Sequence, residues 1–234
     1  MKGKFRLIAL AIVVAASFGA AVFVLWLNWP DWMEKRPWPV SLPLSGGKFF
    51  EKKILLPIVH YSQSDPLWGA ERLASTPATL AAEGCAVAAA AMALAAKGAL
   101  LNPGELNTAL KDFPGGFTAQ GWIYWEAAAA VAAPGRVRYV YEGPADFSRL
   151  DAELLRGNPV IVRLRLPSGQ MHFVVAVGKE EFEYLVSDPA DVPGSEPRPL
   201  SSVGGEITGM RFYLEESPFF NRQFLVKVPV VSVQ

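Results

Sequence analysis

Cys85 is the only cysteine of the chain, and it follows Gly84 at the predicted start of an alanine-rich helix. Unpaired amide donors and the helix dipole at such a position stabilise an anion, so they favour the thiolate form of the side chain. A thiolate is a nucleophile, and the placement therefore predicts nucleophilic catalysis. Taken alone, the residue leaves a second interpretation open, because buried and inert cysteines are common.

His172 is one of only two histidines, and it opens a predicted strand at 171–177. A turn at 178–181 would return the chain through a second strand at 182–187. If this hairpin centres near residue 180, antiparallel partners sum to about 360, and His172 lies opposite Asp188. A carboxylate there would orient the imidazole and stabilise its charged form. A slip of one residue would put the two side chains on opposite faces, which leaves an ordinary strand-start histidine as the alternative.

Gln63 lies in a polar loop just after a predicted strand at 53–61. Attack on an acyl carbon creates an oxyanion, and the amide of Gln63 would donate to it together with the Cys85 backbone N–H. Without the other three residues, Gln63 would be an ordinary loop glutamine.

The order Gln63, Cys85, His172 and Asp188 resembles that of papain-like cysteine peptidases, over a stretch from about Ile54 to Pro189. The local sequences resemble the branch related to bacteriocin-processing, double-glycine peptidases. The strings that carry the resemblance are YSQSDPLW at 61–68, EGC at 83–85, PGELN at 103–107, HFVV at 172–175 and YLVSDP at 184–189.

This resemblance implies that Cys85 is the nucleophile and that His172 is the general base and then the acid. In the same pattern, Asp188 orients His172 and Gln63 completes the oxyanion hole. It also implies an α+β, papain-like fold with N-terminal helices on a mostly antiparallel sheet. One departure concerns the cysteine, which many relatives follow with Gly-Pro-Thr-Ser or a similar string. Here the residues at 86–89 are Ala-Val-Ala-Ala, so the substrate range and the activity itself stay open.

Length and charge exclude several other classes. The chain has 234 residues, and its 22 Lys and Arg balance 22 Asp and Glu. This length fits one domain, or one domain with an appendage. A neutral balance argues against a nucleic-acid partner. One cysteine excludes an internal disulfide, and the scarcity of Cys and His argues against a metal centre, so we expect no cofactor and no metal.

Residues 7–27 form an uncharged, apolar segment that follows three basic residues. As a helix it would span roughly 31 Å, close to the apolar thickness of a bilayer. We predict a signal-anchor helix at 7–27, with residues 1–6 in the cytoplasm and the rest outside the cell membrane. A cleavable signal peptide is the alternative. Proline-rich residues 28–47 would form a stalk, and residues 48–234 the peptidase-like domain.

The coarse pattern of that domain places helices mainly before strands, which is typical of an α+β fold. The predicted helices lie at 85–97, 106–112, 122–132 and 147–155. Beyond the three strands already named, we predict strands at 137–141, 160–166, 210–214 and 224–231.

We therefore expect a membrane-anchored, extracytoplasmic cysteine peptidase or amidase with a peptide or protein substrate. The same machinery would also allow acyl transfer to an amine. An inactive peptidase-like module that binds a peptide or a membrane-complex partner is the alternative, and a structural subunit of such a complex is a third. Gly46-Gly47 looks like a double-glycine cleavage site, although most paired glycines are turns. The sequence assigns neither the substrate nor the oligomeric state.

Overall fold

The computed structural model describes residues 41–143 and 145–216. The predicted span at 7–27 and the last predicted strand at 224–231 lie outside these residues. Within the described ranges, no helix combines the length and the apolar character that crossing a membrane requires.

One antiparallel sheet forms the centre of the described fold, in the order β1-β4-β3-β6-β2 with β5 beside β4. Its middle strands contain apolar runs, such as residues 160–162 and 174–177, that are buried on both faces, as expected when both faces of a sheet are covered. The strands are β1 Ser45–Leu55, β2 Val137–Glu142, β3 Val160–Arg165, β4 Met171–Ser187, β5 Arg198–Pro199 and β6 Glu206–Glu215.

Strand β4 is a continuous extended segment of 17 residues that turns back on itself. A straight strand of that length would exceed roughly 50 Å, yet the side chain of His172, near its start, contacts that of Asp188, just after its end. The turn lies near Glu181, whose φ of 53° is in the left-handed region. Tyr184 and Val186 pack in the same core cluster as Val174 and Ala176, so the two arms present these residues to one face. The hairpin expected from the sequence is therefore present.

Within the described residues, five α-helices accompany the sheet: α1 Leu80–Glu83, α2 Cys85–Ala95, α3 Pro103–Asp112, α4 Trp125–Ala132 and α5 Phe147–Leu155. Local sequence explains two of their starts. Asn102 and Glu105 form a reciprocal capping box at α3, and the Asp146 side chain caps α5. Helix α4 begins three residues later than expected, because the Trp122 N–H and carbonyl are both bonded to Thr118 in the preceding turn.

The helices cover both faces of the sheet. Helix α2 is buried almost completely from Val87 to Leu94, and its alanines let it lie close to β4. Helices α3 and α4 pack in the same cluster, whereas α5 belongs to the cluster on the other face. The result is a mixed α/β fold with an antiparallel sheet, in agreement with the predicted class at that level.

Strand β1 differs most from expectation. It covers Ser45–Leu55, whereas we expected a strand at 53–61. The chain leaves the sheet after Leu55, near Pro57, which has no N–H for a ladder. An isolated bridge also joins Leu42 to Ile207, so sheet pairing begins several residues before Lys48, the expected first residue of the domain.

Candidate active site

Cys85 is the first residue of helix α2, and Gly84 is its N-cap. The Cys85 N–H has no intrahelical carbonyl to bond, because the first amides of a helix lack such partners. The thiol is free and partly exposed. A Cβ on Gly84 would lie 2.4 Å from the Leu80 carbonyl oxygen of helix α1. Glycine therefore allows two helices to meet tightly just before the cysteine.

His172 and Asp188 form the central contact of the site. The imidazole Nε2 lies 2.7 Å from Asp188 Oδ1. The Asp188 side chain is only 2% exposed, and it also accepts a hydrogen bond from the Ala190 N–H. Because Nε2 is engaged by the carboxylate, Nδ1 is the ring nitrogen left for Cys85 or a substrate.

The interactions of His172 favour its protonated form. Burial lowers the pKa of the imidazole, but hydrogen bonding and charge interactions with Asp188 and Cys85 outweigh burial and raise the pKa to about 9. The same contact acts on the carboxylate. Burial raises the pKa of Asp188, but the hydrogen bond and charge of His172 hold it below its ordinary value.

Arg198 supports Asp188 from the side opposite His172. Its Nη2 donates to Asp188 Oδ2 at 2.7 Å, and its Nε donates to Asp191 Oδ2 at 2.8 Å. Strand β5, which carries Arg198, pairs with the second arm of β4 just before Asp188. No local motif marks Arg198 in the sequence, where it follows Asp188 by ten positions, so its contact with the site could not be expected.

Gln63 is held beside the start of α2 by two contacts. Its backbone N–H donates to the Pro189 carbonyl, next to Asp188. Its side-chain Nε2 donates to the Ala81 carbonyl of α1 at 2.8 Å. Because a carbonyl oxygen can only accept a hydrogen bond, the amide atom that faces Ala81 is the nitrogen. The second N–H of this nitrogen stays available for another acceptor. Its buried Oε1 has no hydrogen-bond partner among the described residues.

A cleft of about 780 Å³ brings the four predicted residues together. Cys85, His172, Asp188 and Gln63 all line it. Its other walls are mostly apolar, with Ala86 and Val87 near the cysteine and the exposed Trp122 at the rim. This volume falls within the range of ligand-binding clefts, about 300–1,000 Å³.

Comparison with known proteins identifies the family. The sequence profile of the Peptidase_C39-like family matches residues 55–199, more than half of the chain. The chain belongs to the Peptidase_C39-like family. This confirms the resemblance seen in the sequence and makes the protein a cysteine peptidase by family.

This protein is also similar to a solved structure from Bacillus anthracis, which is described as a candidate C39-like peptidase. The two share 16% identity at a TM-score of 0.45, and the alignment covers 71% of this chain and 99% of that chain. No curated protein sequence matches the chain.

The residues around Gln63 in this C39-like peptidase hold the shape of its loop. Trp68 is buried, its indole N–H donates to the Ser62 carbonyl, and Asp65 accepts from the Leu67 N–H. These bonds shape the loop that presents Gln63. Trp68 and Trp125 are buried, whereas Trp122 is 71% exposed.

Two further polar residues of the cleft were not anticipated from the sequence. Arg163 of β3 and Arg211 of β6 both line it, and Arg211 is buried. In the sequence, Arg211 could have been noticed only as the single charged residue inside the apolar run 207–214. The described residues contain no group of three or more His, Cys, Asp and Glu side chains able to hold a metal ion.

Proposed function

We propose that the protein hydrolyses a peptide bond through a papain-like triad of Cys85, His172 and Asp188, with Gln63 in the oxyanion hole. The observation that carries the proposal is the single imidazole that interacts with a buried carboxylate on one side and the only cysteine on the other. A raised pKa for His172 means that the ring holds a proton at neutral pH. That proton is the one the thiol gives up when the ion pair forms.

The reaction would proceed by acyl transfer. Cys85 Sγ attacks the carbonyl carbon, and the carbonyl π electrons move onto the oxygen. The Cys85 backbone N–H and the second N–H of the Gln63 amide donate to that oxyanion. When the tetrahedral intermediate collapses, the C–N bond breaks and His172 protonates the leaving amine. Neutral His172 then takes a proton from water, whose oxygen attacks the thioester and releases the acid and the thiol.

Asp188 and Arg198 would position the imidazole rather than react. Asp188 accepts from Nε2 and so keeps Nδ1 directed at the chemistry. It stays ionised throughout, since the contacts of the carboxylate favour its charged form. An amine in place of water would intercept the same thioester, so transpeptidation belongs to this proposal as a variant of the second step.

The test is cleavage of a mixed peptide library by the full chain, with products identified by mass spectrometry. Cys85→Ser should abolish the products, and hydroxylamine should trap the acyl group as a hydroxamate in the wild type. Cleavage that persists in Cys85→Ser would refute the nucleophile. A wild type that cleaves nothing and forms no hydroxamate would instead favour a binding module.

For the placement of the enzyme we propose a single-pass anchor at 7–27 with the catalytic domain outside the cytoplasm. The support is the uncharged, apolar sequence of this segment behind three basic residues. Carbonate extraction of membranes should leave the full chain in the pellet, and protease added to intact cells should digest its domain. Release by carbonate would contradict the anchor.

A further inference from the structure

Arg211 is a buried cation in the wall of the cleft, and no described carboxylate pairs with it. The residue is 5% exposed. Its guanidinium lies 4.4 Å from the centre of the Trp125 ring and 4.9 Å from that of Phe173, and Tyr141 is a third aromatic neighbour. The buried Nε has no hydrogen-bond partner among the described residues. Aromatic faces compensate only part of the cost of burying a charge.

Arg163 adds a second cation to the same wall. Cross-strand pairing places Arg211 opposite Ile161 on β3, and Arg163 follows two residues later on the same face. The Nε and Nη2 of Arg163 donate to Thr208, which leaves Nη1 without a partner in the described part of the chain. Arg163 also lies opposite Phe173, the residue after His172.

The two carboxylates that line the cleft do not neutralise these arginines. Asp188 is engaged by His172 and Arg198, and no ion pair joins Glu83 to either arginine among the described residues. Burial lowers the pKa of Arg211, and the charge of Arg163 lowers it further. The pair is thus a local excess of positive charge inside a largely apolar cleft.

We propose that Arg211 and Arg163 form a subsite for a carboxylate of the peptide substrate. An incoming carboxylate would receive charge-assisted hydrogen bonds from two guanidiniums in a poorly solvated place, where such bonds are strongest. It would also supply the counter-charge that the described residues do not provide. The carboxylate comes either from an acidic side chain or from the C-terminus of the substrate.

This inference rests on the proposed function for the identity of the ligand as a peptide, but its test does not need catalysis. Full-chain Cys85→Ala would be titrated into three pools of fluorescent, N-acetylated hexapeptides with otherwise neutral side chains. One pool carries an internal Glu and an amidated C-terminus, one has only a free C-terminal carboxylate, and one has Gln and an amidated C-terminus. Fluorescence anisotropy gives the affinity of each pool.

We expect one carboxylate pool to bind about tenfold or more tightly than the neutral pool, the size of one charge-assisted contact. The pool that does so identifies the source of the carboxylate. In Arg211→Met, which keeps a long apolar side chain against the rings, the ratio between the affinities of the carboxylate pool and the neutral pool should approach one. Arg163→Gln should lower it as well, and this variant guards against a folding defect caused by the buried site.

The matched control is Arg165→Gln. Arg165 lies two residues further along β3, is half exposed, and pairs with Glu206 on the surface. The substitution removes the same charge as the cleft variants do, and it should leave the preference for the carboxylate pool unchanged. Equal binding of the three pools, no measurable binding of either carboxylate pool, or a preference that survives in both cleft variants would overturn the subsite. An equal loss in Arg165→Gln would also overturn it, because a general field would then be the cause. Failure of the wild type to cleave peptides would refute the proposed function alone.

Discussion

At the residue scale, the site depends on how one imidazole is held between a carboxylate and a thiol. Asp188 is buried and accepts from His172 Nε2, and Cys85 interacts with the same ring. Each contact favours the imidazolium. The raised pKa of about 9 is therefore a property of three residues together, and removing any one of them should change it.

Replacing Asp188 by Asn should move the pKa of His172 from about 9 back toward its ordinary value of 6.5, because the carboxylate is lost. NMR titration of the imidazole protons measures this. A folded-state pKa above the unfolded one means that protonated His172 stabilises the fold at pH below 6.5, and that this stabilisation disappears as the pH rises through about 9. Asp191→Asn is the control, since Asp191 contacts Arg198 but not His172. An unchanged titration in Asp188→Asn would contradict the assignment.

Arg198→Met tests the support behind the carboxylate. Asp188 has a lowered pKa, so its ionised form stabilises the fold above the unfolded pKa, and this contribution is lost as the pH falls through the folded pKa. Without the Arg198 charge, the loss should begin at a higher pH. Urea unfolding at a series of pH values from neutral to acidic measures this loss of stability, with Arg165→Gln as the surface control. Identical acid profiles for both variants would show that Arg198 has no such role.

Much of the site could be predicted from residue types. The chain has one cysteine and two histidines, so Cys85 and His172 were the obvious pair, and the structure brings both into one cleft with Asp188 and Gln63. Arg198, Arg163 and Arg211 could not be predicted in the same way. Their relation to the site depends on strand pairing between segments distant in sequence, and arginine in a strand has many other uses.

At the element scale, two features determine where the reactive groups lie. The hairpin within β4 brings residues 172 and 188 together, and the α1–Gly84–α2 junction presents Cys85. The hairpin was predictable because its exposed turn interrupts two apolar arms. The position of β1 was not, because its sequence from Ser45 alternates little and its pairing depends on the turn of β4. Strand β5 has only two residues, which are too few to show an alternating pattern in the sequence.

Gly84→Ala should disturb the junction. The added Cβ would lie 2.4 Å from the Leu80 carbonyl oxygen and 2.9 Å from the Leu80 Cα, which are backbone atoms that cannot easily move away. We expect a loss of about 1–3 kcal/mol in the free energy of unfolding, as for other overpacked positions, together with slower alkylation of Cys85. Thermal and urea unfolding give the first quantity.

Gly209→Ala is the matched control. Its Cβ would meet the nearest side-chain atoms at 3.7 Å, which is ordinary contact. If Gly84→Ala proves as stable and as reactive as Gly209→Ala, the tight junction does not position the cysteine.

At the scale of the whole molecule, a buried charged cluster joins β1 to the rest of the described fold on the face away from α2. Lys179 is fully buried and donates to Asp151 Oδ1 at 2.6 Å and to the Gly46 carbonyl at 2.6 Å. Tyr184 donates to the same carboxylate oxygen, and the Lys48 N–H donates to the other one. The cluster thus binds the backbone around Gly46-Gly47, which gives this glycine pair a structural use distinct from a cleavage site.

Lys179→Met should destabilise the protein by about 3–5 kcal/mol, because it leaves the Asp151 carboxylate buried without its counter-charge. The double variant Lys179→Met with Asp151→Leu should recover part of the loss. Lys53→Met is the control on β1, since its ion pair with Glu180 is long and exposed and should contribute at most about 1 kcal/mol. Equal stability of Lys179→Met and Lys53→Met in urea unfolding would refute the role of the cluster.

Activation of Cys85 by His172 is tested most directly by the rate of Cys85 alkylation at a series of pH values. Iodoacetamide would be reacted with the full chain and with His172→Ala, using Cys85→Ser as the blank. We expect alkylation of the wild type to be much faster at neutral pH than that of His172→Ala, because the protonated imidazole stabilises the attacking thiolate. A slow reaction in the wild type, equally slow without His172, would contradict the account.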